Sequence, residues 1–172
     1  MRIILIFILL VPFKLSAKVI SSSANGFIIS IEQIANVSVE QAYNQFIKID
    51  EWWSADHTYS GKSDNLFLDP KAGGCFCEID GIKQVHHMLV TYIEPNKEIR
   101  MTGGLGPLQM MGVHGGMSWK FESIGTDQTK IIHKYSVSGF SPQGLDKLAP
   151  IVDQVQQLQV DSLVKRLNDN SK

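Results

Sequence analysis

Between Val113 and Val137 the chain alternates apolar and polar residues twice over. Val113, Gly115, Met117, Trp119 and Phe121 interleave with His114, Ser118, Lys120 and Glu122. After a polar break, Ile131, His133, Tyr135 and Val137 interleave with Lys130, Lys134, Ser136 and Ser138. Successive side chains of a strand point to opposite faces, so each segment reads as a strand with one wet and one dry face. The dry faces must be covered. The one long segment able to cover them comes last, from Leu148 to Leu167, and would span about 30 Å as a helix. Pro150 suits its first turn. Leu148, Ile151, Val152, Val155 and Leu158 form one stripe at helical spacing; Val160, Leu163, Val164 and Leu167 form a second, displaced stripe. Such a helix bends, or packs its two halves on different neighbours.

The upstream chain supplies more strands and one short helix. Phe27, Ile29 and Ile31 alternate as a first strand after a polar lead-in at Ser21–Asn25. Ser38 and Gln41 have the spacing of a capping box, which opens a helix carrying Ala42, Tyr43, Phe46 and Ile47 on one side. Asp80-Gly81 favours a tight hairpin between Cys75–Ile79 and Lys83–Glu94, and Ile99 and Met101 mark a further strand. Helices segregated to one side of an antiparallel sheet make an α+β domain, and a curved sheet over one helix leaves a concave interior suited to a ligand.

The chain opens Met1-Arg2, runs apolar from Ile3 to Phe13 and reaches Leu15-Ser16-Ala17. That is the form of a signal peptide over residues 1–17, cut before Lys18, and it is shorter than the roughly 20 residues a spanning helix needs. Residues 18–172 then form one domain, periplasmic or secreted, with no stable membrane insertion after cleavage. The formal net charge of −1 becomes about −3 once Arg2 and Lys14 are removed, and no basic cluster remains. Nucleic acid is therefore not an expected partner.

Cys75 and Cys77 are the only cysteines. Two residues apart on a strand they sit at the long limit of disulfide reach, so the spacing predicts two free thiols. A two-residue turn at Asp80-Gly81 pairs Cys75 with His86 and Cys77 with Gln84. Cys75, Cys77 and His86 then share one face, the beginning of a zinc site but short of the four ligands such sites use; no metal or other cofactor is expected. Phe76, Glu78 and His87 share the other face, either as a surface pair or as an acid/base pair.

Other residues carry functional and plain readings side by side. Trp52, Trp53, His57 and Tyr59 crowd a non-periodic segment, as a cap on the core or as the lid of a pocket. Gly103–Gly112 lacks the ending of a phosphate loop and reads as an apolar connection beside a pocket mouth. His114 falls on a wet face. His133 falls on a dry one, where an imidazole needs a partner. No nucleophile motif is present.

Glu51-Trp52-Trp53-Ser54, His57–Gly61, Asn65-Leu66, Gly73–Glu78, Val85–Met88, Gly104–Gln109, Tyr135-Ser136-Val137 and Gly144-Leu145-Asp146 follow one another in an order that resembles a bacterial branch of the SRPBCC superfamily. That superfamily is the helix-grip group of START-like lipid-transfer domains, polyketide cyclases and pollen-allergen-like proteins. The resemblance spans the mature chain. It implies the helix-grip fold, a curved antiparallel sheet wrapped around a long C-terminal helix, and a hydrophobic cavity, but no single reaction. His87, His57 and both cysteines match the branch, whereas the position of His133 is usually apolar there.

The expectation is an exported binder of a small hydrophobic molecule such as a lipid, polyketide or other aromatic compound. Trp52, Trp53, His57 and Tyr59 would form the lid, with His87 beside them. Met117, Trp119, His133 and Tyr135 would form the sheet wall, and Val155 and Gln159 the helix wall. The alternative is a cyclase- or hydrolase-type enzyme using His57, His87 or Glu78. A third class is an interaction module with a filled interior.

Overall fold

A computed structural model describes residues 18–170. The leader expected over residues 1–17 lies outside the described residues. The elements run β1 (Lys18–Ser23), β2 (Gly26–Ala35), α1 (Val39–Phe46), β3 (Leu66–Leu68), β4 (Cys75–Asp80), β5 (Lys83–Glu94), β6 (Glu98–Thr102), α2 (Pro107–Met110), β7 (His114–Gly125), β8 (Gln128–Ser138) and α3 (Ala149–Asn170). Eight strands form one antiparallel sheet in the order β1-β2-β8-β7-β6-β5-β4-β3. Ser21–Ser23, read from sequence as part of a polar lead-in, is instead the end of β1: it pairs with Gly26–Ile28 of β2 across the Ala24-Asn25 turn. Three serines on a sheet edge give no periodic signal.

The alternation of β7 and β8 is realised residue by residue. Val113, just ahead of β7, is buried, as are Gly115, Met117, Trp119 and Phe121 on that strand. Ile131, His133, Tyr135 and Val137 are buried on β8, and Met117 pairs with Tyr135, Trp119 with His133. Gly115 has to be glycine: a Cβ there would lie 2.6 Å from both the Gly103 carbonyl and the Tyr135 ring. Helix α1 opens on the expected capping box, with Ser38 Oγ accepting from the Gln41 N–H at 3.3 Å and Gln41 Oε1 accepting from the Ser38 N–H at 3.0 Å.

Helix α3 packs chiefly on β2, with β1 and α1 beside it. Its second stripe, Val160, Leu163, Val164 and Leu167, is buried as expected. The first stripe is not. Ile151 is 59% exposed and Leu158 42%, while Gln156 and Gln159 turn inward in their place. The helix remains one element, and a single row through Val152, Gln156, Val160 and Val164 at i, i+4 spacing faces the sheet. Further along, Arg166 donates to Glu51 at 2.9 Å and Asn168 Oδ1 accepts from the Asn36 N–H at 3.0 Å. Among the described residues no helix is long and apolar enough to cross a membrane.

The β4–β5 hairpin departs from expectation twice. Its two-residue turn is Gly81-Ile82, so Asp80 pairs with Lys83 and Cys77 with His86 rather than Gln84. Beyond Cys77 the register slips, Phe76 pairs with Met88 and Cys75 with Leu89. His87 is therefore the extra residue of a β-bulge, and it and Met88 both turn inward. The cysteines also differ from expectation: Cys75 and Cys77 are joined by a disulfide. In a regular strand their Cα atoms would stand about 6.4–6.8 Å apart; here the separation is 5.4 Å, well inside the normal span of a bridge. The strand is contracted where the bulge interrupts the ladder. Bonded to each other, the sulfurs offer no thiolate pair to a metal.

Candidate functional site

Two imidazoles lie inside the grip, and their surroundings differ. His87 is held by Glu78 from the next strand, with Nε2 and Oε2 3.1 Å apart and both residues almost fully buried. Sequence left this pair open as a surface feature; the bulge makes it an interior one. The same carboxylate accepts from the Tyr59 N–H at 3.0 Å and the Ser60 N–H at 2.6 Å, so it ties the loop after Trp53 to the hairpin. The His87 ring stacks on Phe76, centroids 4.7 Å apart, and Phe76 meets Trp53 edge-on at 5.0 Å. Burial pushes the His87 pKa down against the opposing pull of Glu78. Burial pushes Glu78 up, but the Ser60 and Tyr59 donors and His87 outweigh it and leave its carboxyl below the ordinary range.

His133 has no such partner. It is fully buried, tilted against Trp119 with centroids 4.2 Å apart, and neither ring nitrogen makes a hydrogen bond. Burial drives its pKa down to about 3. The Gln156 side chain and the Ser118 backbone lie near enough to oppose that shift, but neither meets the ring with hydrogen-bond geometry. Gln156 is buried with its Oε1 unpartnered. Gln159, three residues on along α3 and on the same side, is fully buried; its Oε1 accepts from the Ser54 N–H at 2.9 Å while its Nε2 has no partner.

The other residues singled out from sequence fall into two groups. Trp52 and Trp53 are buried as a pillar: Trp52 Nε1 donates to the Phe46 carbonyl at 2.9 Å, Trp53 Nε1 to the His57 carbonyl at 3.2 Å, and Trp52 meets Trp119 edge-on. Met117, Trp119 and Tyr135 line the same interior, and Val155 is partly buried. Tyr135 Oη accepts from the Leu105 N–H at 3.2 Å and donates to the Gly103 carbonyl at 3.3 Å; burial raises its pKa to about 12. His57 and Tyr59 are exposed. Tyr59 nonetheless acts as a strap, since its Oη donates to the Gly106 carbonyl at 3.1 Å. The loop after Trp53 and the 103–112 loop are thereby joined across one end of the grip. Two surface grooves, about 560 Å³ along α3 between Asp153 and Lys165 and about 410 Å³ over His114 and Ser136, are lined by neither buried imidazole.

Gln156 is the residue that sequence reasoning passed over. The signal was present: it stands midway between Val152 and Val160 in an i, i+4 row, visible once a polar residue is allowed inside the stripe.

This is a helix grip. No family model matches the chain, and no curated protein matches it in sequence. Solved structures do match in shape. A protein of unknown function from Staphylococcus aureus, SA2116, superposes with a TM-score of 0.59 at 15% identity over 85% of this chain and 95% of that one. Protein MLL2253 from Mesorhizobium loti gives 0.58 at 15% identity, over 84% and 98%. A norcoclaurine synthase point mutant from Thalictrum flavum, in complex with a transition-state analogue, gives 0.57 at 11% identity over 89% and 99%. At these identities the likeness is one of fold.

Proposed function

We propose that the chain is an exported member of the SRPBCC superfamily that binds a small, uncharged, largely apolar molecule inside the grip, with the molecule's polar end held by His133, Gln156 and Gln159. One observation carries this reading: three buried side chains present unpartnered hydrogen-bonding atoms in an otherwise apolar interior. Each such group left unsatisfied costs about 1–3 kcal/mol, so three are a large fraction of the 5–15 kcal/mol by which a typical domain is stable. A ligand that satisfies them returns that energy as affinity. Its chemistry follows from the donors and acceptors. His133 is held neutral, Gln156 Oε1 needs a donor and Gln159 Nε2 an acceptor. A hydroxyl or amide on an aromatic or aliphatic body fits, and none of the three side chains offers a carboxylate a positive charge. The aromatic rings pack against one another in this closed form. Entry is proposed where the single Tyr59–Gly106 bond joins the two loops.

The test is a pair of probes, 1-naphthol and 1-naphthoate, titrated by tryptophan fluorescence. Naphthol is expected to bind in the micromolar range, about −8 kcal/mol, at least tenfold tighter than naphthoate, and His133→Leu should narrow that gap. If neither probe binds the folded protein, the binder reading fails and the interaction-module reading takes its place.

A second reading has an observation behind it. Glu78 and His87 lie within hydrogen-bond reach in a buried site, as general acid/base chemistry requires. Both oxygens of Glu78 are, however, already engaged by loop N–H groups. The enzyme reading would need that loop to lift.

A further inference from the structure

The disulfide lies on the outer face of the β4–β5 hairpin, opposite Glu78 and His87, and ligand binding makes no use of it. Cys75 and Cys77 are both partly exposed. Cys77 stands between Phe67 of β3 and His86 of β5, and Cys75 is paired with Leu89. Directly opposed side chains of an antiparallel pair have Cβ atoms about 4.5–5.5 Å apart, so the exposed His86 side chain stands within one side chain's reach of Cys77. The strand is pinned there, because the His86 carbonyl accepts from Gln109 Nε2 at 2.7 Å. Phe67 and Leu89 border the bond, and Asp69, whose N–H donates to the Cys75 carbonyl at 2.9 Å, stands at the Cys75 end with its carboxylate paired to Lys71 at 3.1 Å.

Stability is a weak reason for such a bond. The constraint a bridge places on the unfolded chain grows with the length of loop it closes, and here the separation is two residues. Nor does it join separate elements, since both cysteines already lie on one strand held in a ladder. What the arrangement does provide is a partly exposed disulfide, which thiol exchange requires, with an imidazole on the facing strand that can assist the proton transfers.

We infer that Cys75–Cys77 is a redox-active pair that exchanges with thiol reductants at the outer face of the sheet, with His86 carrying the proton. A thiolate of the reductant attacks Cys75 Sγ, forming a mixed disulfide as the Cys75–Cys77 bond breaks. Cys77 leaves as a thiolate and takes, through the His86 imidazole, the proton that the reductant thiol gave up. A second thiol, from the same dithiol or from another monothiol molecule, then attacks the reductant sulfur, closing the reductant's disulfide and releasing Cys75, which is protonated in turn. Two electrons and two protons pass to the cysteine pair; the reverse sequence oxidises a dithiol partner.

The experiment uses the oxidised full chain at pH 7, in dithiothreitol and in glutathione, with acid quench, alkylation and intact-mass readout. The reference is a cyclised peptide of residues 72–80, which has the same bond without His86. Exchange in the protein is expected at least tenfold faster than in the peptide, with the dithiol completing the reaction and glutathione accumulating as the mixed disulfide. His86→Gln should bring the rate to within about threefold of the peptide without moving the thermal midpoint. Cys77→Ser, given oxidised glutathione, should exchange to a stable glutathione adduct on Cys75 with release of one glutathione, since no second cysteine is left to displace it. Equal rates in protein and peptide, a rate unchanged by His86→Gln, or two free thiols in the native protein would each overturn the inference. The first two comparisons stand even where Cys77→Ser fails to fold. Naphthol binding is read separately, so failure here leaves the ligand reading untouched.

Discussion

His87 and His133 are both buried and each lies against an aromatic ring, yet only His87 has a carboxylate to hold it. The Glu78–His87 region is finished: carboxylate, imidazole and two loop N–H groups satisfy one another, and their effect is to fasten a loop. The His133 region is unfinished, with unpartnered atoms from β8 and α3 in its apolar surroundings. Buried polar groups that are already paired explain structure, and those left unpaired point to something that comes and goes.

Acid should produce the largest effect. An unfolded chain protonates His133 as the pH falls past about 6.5, whereas the folded chain resists until about 3. The unfolded state then binds more protons, so stability falls with falling pH across that window, by on the order of 4–5 kcal/mol if the whole shift is expressed. His87, also depressed, acts in the same direction. Glu78, held below the ordinary carboxylate range, contributes stability that is lost only at lower pH, as that carboxylate finally protonates. Urea midpoints at pH 7, 5.5 and 4 should decline steeply in the native sequence and much less in His133→Leu. Coincident curves would show that His133 is not held neutral.

Next comes Glu78→Ala, which strands two loop N–H groups and an imidazole and should cost about 3 kcal/mol, with Glu78→Gln recovering part of it. Hydrogen exchange at Tyr59 and Ser60 should rise in step. An unchanged exchange rate at those amides would mean that the carboxylate does not fasten the loop. The smallest stability change is expected at Gln156→Leu, within about 1 kcal/mol, because the buried Oε1 that has no partner is removed. The same substitution should weaken naphthol at least fivefold. A loss of 3 kcal/mol or more in the unliganded protein would place Gln156 among the finished contacts and remove the contrast.

Much of this was readable from the chain. The period-2 runs around Trp119 and Tyr135 placed His133 on the dry face, since alternation alone decides facing where a sheet is covered on one side. The capping box at Ser38 and the buried row ending at Leu167 were equally plain. Three features were not. The bulge at His87 is a property of register, which depends on where the turn falls, and Gly81-Ile82 displaced it by one residue from the Asp80-Gly81 signal. The disulfide depends on that same contraction of β4. Gln159 was expected on the helix wall, but the inward turn of Gln156 was hidden because hydropathy assigns a helix face by its apolar members. Here Ile151 and Leu158 outvoted an amide that the tertiary structure buries.

The bulge also bears on how chains of this shape are to be aligned. His87 is supernumerary to the ladder: Cys77 pairs with His86 and Phe76 with Met88 on either side of it. A relative lacking that one position would keep both neighbouring pairs, keep Met88 inward, and lose only the imidazole that faces Glu78. A single-residue gap at this point would therefore separate chains in which a buried imidazole backs the loop-fastening carboxylate from chains in which the carboxylate holds the loop alone, and it would do so without disturbing a single other strand pairing.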